Sequence, residues 1–234
     1  MNRGVLVAAD ISQEWILPWW WEHYKRKNHL PVVFVDLGMS FEKKAWCKER
    51  GKLIPLRVFD FAAAREEMEP SLVQKFEEEY GVRFWECRNA WFKKPLACLQ
   101  SPFDTTLWID IDCEVRCCVE PLFDFPGFAL AKDQIALTSP YQVYNSGVIV
   151  FKRSLPLIER WASEAMKKSE LFRGDQELLS WMIAEEKVPV TELPPLYNWS
   201  RSLGENPEAK IYHWHGINGK KVIRHELHSW NTQL

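Results

Sequence analysis

Short apolar runs separated by helix-forming segments occupy the first part of the chain. The runs lie at residues 4–10, 30–38 and 52–58, and they are rich in valine, leucine and isoleucine. Apolar runs of this length are typical of buried strands. Because strands that alternate with helices favour a parallel sheet, the pattern predicts an α/β fold in which helices flank such a sheet.

Capping residues mark the two helices between these strands. The first helical segment offers Ser12 as an N-cap, with Pro18 either in the first turn or at a late start of the helix. The second segment begins at Ser40, a preferred N-cap residue, and stops at Gly51, which suits a helix end.

The remainder of the chain continues as helices and strands, without internal repeats, low-complexity linkers or a clear domain boundary. Further helices are expected at residues 70–81, 89–103 (broken or kinked at Pro95), 154–169 and 174–187. Further strands are expected at residues 105–115, 127–132, 146–153, 188–194 and 209–216. We therefore expect a single domain that spans residues 1–234.

Composition and charge narrow the range of partners. Hydrophobic residues make up 47% of the 234 residues, and the formal net charge is -2. These values are ordinary for a soluble globular protein and give no general basic field for nucleic acid. No apolar run approaches the roughly 20 residues of a membrane-spanning helix, and the N-terminal apolar stretch is too short for a signal peptide. A cytoplasmic location without a transmembrane segment is expected.

Cysteine and tryptophan usage adds two expectations. The six cysteines are scattered and form no CxxC pair, so we interpret them as reduced, mostly buried thiols rather than as a zinc site. Thirteen tryptophans are an unusually high number for this length. Most belong to the core, and some suit the floor of a pocket, because flat rings match the apolar faces of sugars and bases.

Two aspartates follow directly from an apolar run, in the segment TTLWIDIDCEV at residues 105–115. If the extended conformation persists, Asp110 and Asp112 point to the same side, opposite Ile109 and Ile111. Carboxylates this close repel each other, and a divalent cation such as Mg²⁺ or Mn²⁺ removes that cost. Two alternatives remain: both acids are solvated at a turn, or the first is the nucleophile of a phosphatase.

A second polar cluster, KIYHWHGINGKK at residues 210–221, lies near the C-terminus. In an extended segment His213 and His215 share a face, so either is a candidate metal ligand. Two glycines between the histidines and the lysines permit a tight loop whose backbone N–H groups approach an anion. Lys220 or Lys221 is a candidate for neutralising a diphosphate. Alternatively, this segment is an ordinary polar loop.

Several of these segments occur in the order seen in one enzyme family. The chain resembles nucleotide-sugar glycosyltransferases of the GT-A fold, most closely the family-8 type that includes glycogenin and bacterial galactosyltransferases. The segments that carry the resemblance are residues 7–10, 89–94, 107–115, 144–153, 174–179 and 212–220. The resemblance implies a Rossmann-like mixed sheet flanked by helices, and transfer of a sugar from a nucleotide-sugar donor, UDP-sugar in particular.

The resemblance also implies a nucleotide-binding set. Ala8 and Asp10 correspond to residues that contact the uracil or ribose, and Lys93 falls near a basic residue beside the sugar and diphosphate. Lys220 corresponds to a diphosphate-binding lysine, although it comes one residue later than the family pattern. Asp10 has an alternative role, because an acid at this point can cap the helix that follows.

The metal and the reacting sugar complete the implied site. Asp110, Asp112 and His213 correspond to ligands of Mn²⁺ or Mg²⁺, and Asp110 also to a ribose contact. The implied catalytic residues, beside the donor sugar or the acceptor, are Asn145, Asp175 and Gln176. The resemblance implies transfer with retention of configuration to a glycan, protein or lipid-linked acceptor. The alternative is a catalytically inactive protein that binds nucleotides or glycans on the same fold.

Overall fold

The computed structural model describes residues 2–82, 84–135 and 144–232. Its strands are β1 (Arg3–Ala9), β2 (Val32–Asp36), β3 (Lys52–Pro55), β4 (Thr105–Ile109), β5 (Cys113–Val115), β6 (Ala129–Lys132), β7 (Tyr144–Lys152), β8 (Thr191–Glu192), β9 (Trp199–Ser200) and β10 (Ile211–His213). Its helices are α1 (Leu17–Lys25), α2 (Phe41–Lys48), α3 (Pro70–Tyr80), α4 (Phe84–Leu99), α5 (Pro156–Lys167), α6 (Asp175–Glu185) and α7 (Gly216–Asn231).

The strands form a seven-stranded mixed sheet in the order β3-β2-β1-β4-β7-β6-β8. β3, β2, β1 and β4 run parallel, as the sequence predicts, whereas β7 pairs antiparallel with β4 and with β6. The carboxyl ends of the parallel strands therefore meet at one edge of the sheet, and the start of β7 lies at that same edge. The predicted α/β fold class is confirmed.

Both faces of the sheet are buried, which explains why its strands read as continuous apolar runs. Along β1, Val5 and Val7 pack on one face with Trp19 and Trp20 of α1. Leu6 packs on the opposite face in a second core, which includes buried residues of α4 and α5. The sheet therefore sits between two helical layers and is held rigidly from both sides.

Local capping follows the sequence in α2 but not in α1. The Ser40 hydroxyl accepts a hydrogen bond from the Lys43 amide at 3.2 Å and caps α2 as predicted. Ser12 does not cap α1, because a short 3-10 turn at Glu14–Ile16 precedes that helix. Pro18 lies in the first turn of α1, where a missing N–H costs nothing.

The predicted strand at residues 105–115 divides into two strands that belong to different sheets. β4 ends at Ile109, and the chain then turns, with the Cys113 amide donating to the Asp110 carbonyl at 3.0 Å. β5 joins β10 and β9 in a separate three-stranded sheet. The extended conformation that would place Asp110 and Asp112 on one side therefore does not persist, and both lie in the turn between the sheets.

The C-terminal polar segment begins as the predicted strand, β10, but its glycines and lysines belong to a helix rather than a loop. α7 begins at Gly216, whose φ of +73° is a conformation that glycine adopts without strain. Gly219 is buried against the backbone of Trp214, and a Cβ atom there would overlap the Trp214 carbonyl oxygen. This close approach fixes the start of α7, and with it Lys220, against the end of β10.

No helix within residues 2–82, 84–135 and 144–232 has the length and apolar character needed to cross a membrane.

Substitution of Gly219 tests this close approach. We expect Gly219→Ala to destabilise the fold by about 1–3 kcal/mol, because backbone atoms cannot move aside for the added methyl group. Urea unfolding followed by tryptophan fluorescence measures the change. Lys221→Ala, an exposed position on the same helix, is the control and should change stability by less than about 0.5 kcal/mol. Equal stability of the two variants would show that α7 does not depend on the contact.

Candidate active site

Strand pairing brings the two predicted polar clusters together. β10 pairs antiparallel with β5, so that His213 lies opposite Cys113, and the Trp214 amide donates to the Asp112 carbonyl at 2.9 Å. His213 Nε2 is 3.3 Å from Asp112 Oδ1 and 3.9 Å from Asp110 Oδ2. A histidine from the C-terminal part of the chain and two carboxylates from its middle therefore converge at the carboxyl edge of β4.

A chain of amides orients the His213 ring. The Gly147 amide and the Asn198 side-chain amide both donate to Asn145 Oδ1, at 2.9 Å and 2.8 Å. This leaves Asn198 Oδ1 as the acceptor for His213 Nδ1, at 3.0 Å. Because Nδ1 carries the proton in that bond, the neutral ring presents the Nε2 lone pair to the carboxylates, as a metal-ligating histidine does.

Gly147 makes room for the same ring. A Cβ atom at this position would lie 2.6 Å from His213 Nδ1, well inside van der Waals contact. The glycine in the sequence YNSG therefore has a steric role, because any side chain would push His213 away from the aspartates.

The Asp112 carboxylate is buried beside one counter-charge and one imidazole ring. Its side chain forms an ion pair with Lys220 and a contact with His213. Burial alone would raise the pKa of Asp112, but Lys220 and His213 outweigh it and hold that pKa well below its usual value. The structure thus selects Lys220 over Lys221, which lies exposed on α7, as the lysine that faces the aspartates.

Lys94 forms a second charged cluster beside the first. Its Nζ atom lies 3.0 Å from Asp110 Oδ1, 3.2 Å from Asp175 Oδ2 and 3.0 Å from Ser146 Oγ. Lys94 is only 7% exposed, and although burial lowers the pKa of a lysine, Asp110 and Asp175 outweigh it and raise that pKa. One ammonium group therefore ties α4 to the end of β4, the start of β7 and the start of α6.

The predicted basic residue Lys93 lies elsewhere. Its Nζ atom bonds Asp60 Oδ1 at 2.6 Å, and that aspartate is largely exposed. Successive side chains on a helix point about 100° apart, so only one of two adjacent lysines can face the site. The structure puts Lys94 there in place of Lys93, and sequence reasoning missed it because the pair FKK gives no local reason to choose.

The predicted catalytic residues line the same edge. The Gln176 carbonyl accepts a hydrogen bond from the Ser146 amide at 3.0 Å, and its NH₂ group donates to Asp133 at 2.8 Å. The Ser146 hydroxyl donates to Asp175 at 2.8 Å. Burial raises the pKa of Asp175, against the opposing effect of Lys94. The structure thus brings α6 and the start of β7 into one hydrogen-bonded group beside the aspartates.

Asp10 and Ala8 lie at the same edge, on the neighbouring strand. Ala8 is in β1, and Asp10 follows its last residue. Asp10 Oδ1 accepts hydrogen bonds from the amides of Ser12 and Gln13, at 3.0 Å and 2.9 Å. The carboxylate thus organises the turn that leads to α1, which is close to the capping role considered from the sequence.

Asn198 is the other residue that sequence reasoning missed. In the segment PPLYNWS, the rings of Tyr197 and Trp199 are the side chains that would suit stacking on a sugar. Tyr197 instead packs at the core edge, with its ring centroid 6.5 Å from that of Phe125, and Trp199 Nε1 donates to the Gly204 carbonyl at 3.1 Å. The asparagine between them, 3% exposed, carries the bond to His213. A polar residue flanked by aromatic ones was the only signal available.

The residues present fit a divalent cation. Two ligands at right angles, each about 2.1 Å from an Mg²⁺ ion, lie about 3 Å apart. The separations of 3.3 Å and 3.9 Å around His213 Nε2 are close to that value, so small movements let His213 share an ion with Asp112 or with Asp110. Lys220 lies on Oδ2 of Asp112, whereas the oxygen nearest His213 is Oδ1, so the two groups use different oxygens of this carboxylate.

No protein-family model matches the chain, and no curated protein sequence matches it. Solved structures do. The galactosyltransferase LgtC, in complex with donor and acceptor sugar analogs, aligns with a TM-score of 0.60 and 15% identity over 99% of this chain and 100% of that one. The fold is that of the GT-A glycosyltransferases.

Two further structures share the GT-A fold. Mouse xyloside xylosyltransferase 1 aligns with a TM-score of 0.54 and 16% identity over 91% of this chain and 97% of that one. The glycosyltransferase GlyE of Streptococcus pneumoniae TIGR4 aligns with a TM-score of 0.57 and 17% identity over 92% of this chain and 55% of that one. At these identities the likeness is one of fold, and the GT-A architecture suggested by the sequence is confirmed.

The adjacent lysines provide a matched pair of variants. We expect Lys94→Met to destabilise the protein by about 3–5 kcal/mol at pH 7, because it leaves buried carboxylates without a counter-charge. Lys93→Met should cost less than about 1 kcal/mol, because its partner Asp60 is solvated. Urea unfolding at pH 7 and pH 5 tests both. The penalty of Lys94→Met should shrink at pH 5, because protonation of Asp175, whose pKa is already raised, removes the uncompensated charge. Equal costs for the two variants would contradict the assignment.

Proposed function

We propose that the protein is a metal-dependent glycosyltransferase that transfers a sugar from a UDP-sugar to a glycan, protein or lipid-linked acceptor. The observation that carries the proposal is the convergence of His213 with Asp110 and Asp112 at the carboxyl edge of β4. Open α/β sheets bind their ligands at this edge, and the GT-A fold of the chain adds support.

Asp110, Asp112 and His213 would hold Mn²⁺ or Mg²⁺. When bound, the ion acts as a Lewis acid on the leaving diphosphate. His213 is suited to this role because the amides of Asn198 and Asn145 hold its protonated Nδ1 away from the carboxylates. We assign the nucleotide to the adjoining edge, beside Ala8 and Asp10.

Lys220 is the proposed diphosphate ligand. Its ammonium group lies on Asp112, beside the position proposed for the cation. A cation on Asp112 would compensate that carboxylate and free Lys220 to turn to the diphosphate, and Gly219 keeps the lysine within reach because it fixes the start of α7. The lysine can then neutralise the anionic leaving group.

The sugar and acceptor belong on the side of Asp175 and Gln176. We propose that the Asp175 carboxylate stabilises the positive charge that develops on the sugar, with retention of configuration. Lys94 and Ser146 hold that carboxylate in place. Asn145 belongs to the amide chain of His213, and the adjacent Ser146 binds Asp175, so this part of β7 links the proposed sugar and metal positions.

Binding of UDP tests the proposal directly. We expect Mn²⁺ to strengthen UDP binding at least about tenfold in the wild type, because the ion bridges the carboxylates and the diphosphate. Asp112→Ala should abolish that gain, whereas Asp124→Ala, which removes a largely exposed acid, should retain it. Isothermal titration calorimetry measures both.

Release of UDP from UDP-sugars separates the enzyme from the alternative. Mn²⁺-dependent UDP release, detected by chromatography, supports transfer chemistry. Tight Mn²⁺-dependent binding without release from any of a panel of UDP-sugars would support a nucleotide-binding protein instead. Binding that neither Mn²⁺ nor Asp112→Ala affects would overturn the proposal.

The amide chain to His213 gives a second test. We expect Asn198→Leu to weaken Mn²⁺ binding about 10–100-fold, because the ring loses the acceptor that sets its tautomer. Asn198→Asp keeps an acceptor and should recover part of the affinity. Tyr197→Phe, a conservative change at the neighbouring position, is the control. Mn²⁺ affinity follows from electron paramagnetic resonance of the free ion. Unchanged affinity in Asn198→Leu would mean that the chain does not tune the metal ligand.

A further inference from the structure

Cys113 lies beside the proposed metal ligands. The thiol sulfur of Cys113, a carboxylate oxygen of Asp112 and a ring nitrogen of His213 all lie within 4.8 Å of one another. All three residues are buried, with 0%, 7% and 6% of their surface exposed. Within residues 2–82, 84–135 and 144–232, this is the one group of three or more histidine, cysteine or carboxylate side chains whose ligand atoms all lie within 4.8 Å of one another.

The backbone explains why the sulfur is so close. Cys113 ends the turn that carries both aspartates, and β5 pairs it directly with His213 in the β10 register. The sulfur has one weak contact, at 3.9 Å from the Gly147 carbonyl oxygen. Because an S–H group is a weak donor, little is lost when the sulfur leaves that contact.

Asp110 is held more firmly than the thiol. Trp108 Nε1 donates to Asp110 Oδ1 at 2.7 Å, and Lys94 binds both oxygens of the same carboxylate, at 3.0 Å and 3.1 Å. A cation that prefers sulfur therefore finds Asp112, Cys113 and His213 without disturbing the Lys94 cluster. A cation that prefers oxygen would instead use the Asp110 carboxylate as a ligand.

We infer that Cys113 is a third protein ligand for Zn²⁺ or Co²⁺, together with Asp112 and His213. Thiolate and imidazole ligands favour Zn²⁺ and Co²⁺, whereas carboxylate oxygens favour Mg²⁺ and Mn²⁺. Binding releases one proton, because the Cys113 thiol becomes a thiolate as the sulfur–metal bond forms. The scattered cysteines gave no CxxC signal for this site, since His213 lies 100 positions after Cys113 in the sequence.

The consequence is that the site would bind Zn²⁺ or Co²⁺ more tightly than a site built only from carboxylates and imidazole would. The set shares Asp112 and His213 with the cation site of the proposed function, on which this consequence rests. Zn²⁺ held by Cys113 would compete with Mn²⁺ for Asp112 and His213. Asp110 would then not serve as a metal ligand. We therefore expect micromolar Zn²⁺ to displace Mn²⁺ and to lower Mn²⁺-supported UDP binding.

Cobalt provides a direct spectroscopic test. Titration of the metal-free wild-type protein with Co²⁺ should produce a sulfur-to-cobalt charge-transfer band in the near ultraviolet. The band should be absent in Cys113→Ser and in Cys113→Val and present in Cys118→Ser, which alters an exposed thiol. Two substitutions of Cys113 are used so that the test still stands if one variant does not fold. Circular dichroism establishes whether each variant is folded.

Affinity measurements complete the test. Cys113→Ser should weaken Zn²⁺ binding at least about tenfold in competition with a chelating dye, while Mn²⁺ binding changes less than about twofold. Absence of the cobalt band in the wild type, its persistence in the Cys113 variants, or an equal loss of Zn²⁺ and Mn²⁺ affinity overturns the inference. Mn²⁺-dependent UDP binding without the band leaves the proposed function intact, and the band without UDP binding leaves the metal site intact.

Discussion

Charge compensation around two aspartates governs the centre of this molecule. Asp110 and Asp112 leave the sheet in a turn, where burial makes uncompensated carboxylates costly. Lys94 neutralises the first from α4, and Lys220 neutralises the second from α7. Because these lysines come from different helices, the ion pairs join the turn after β4 to both α4 and the C-terminal helix α7. The same negative charge that the fold must balance is what makes the site attractive to a cation.

The hydrogen-bond network extends this constraint into specific geometry. Hydrogen bonds run from the Gly147 amide through Asn145 and Asn198 to Nδ1 of His213. Nε2 of the ring therefore faces the aspartates. Asp175 shares Lys94 with Asp110, which couples the start of α6 to the same centre. Metal position and sugar position, as proposed, therefore depend on one continuous set of buried polar contacts.

Strand and helix patterns were predictable because they repeat locally. Continuous apolar runs identified the buried strands, and Ser40 identified the start of α2. The prediction of one strand over residues 105–115 was wrong. A turn that the Asp110 carbonyl stabilises cannot be distinguished from a strand by apolar content alone. The C-terminal helix was missed because two glycines suggested a loop, whereas Gly219 is there to let helix and strand approach closely.

By itself, the sequence determined that a parallel sheet opens the chain and that two aspartates and a histidine-containing segment are available for one site. Only the tertiary structure decided that Lys94 faces that site rather than Lys93, and that Asn198 supports His213. Local patterns specify which face of a strand or helix is buried. They do not specify which partner a polar side chain meets, because the register of β5 with β10 brings together residues about a hundred positions apart, as it does for Asp112 and Lys220, 108 positions apart.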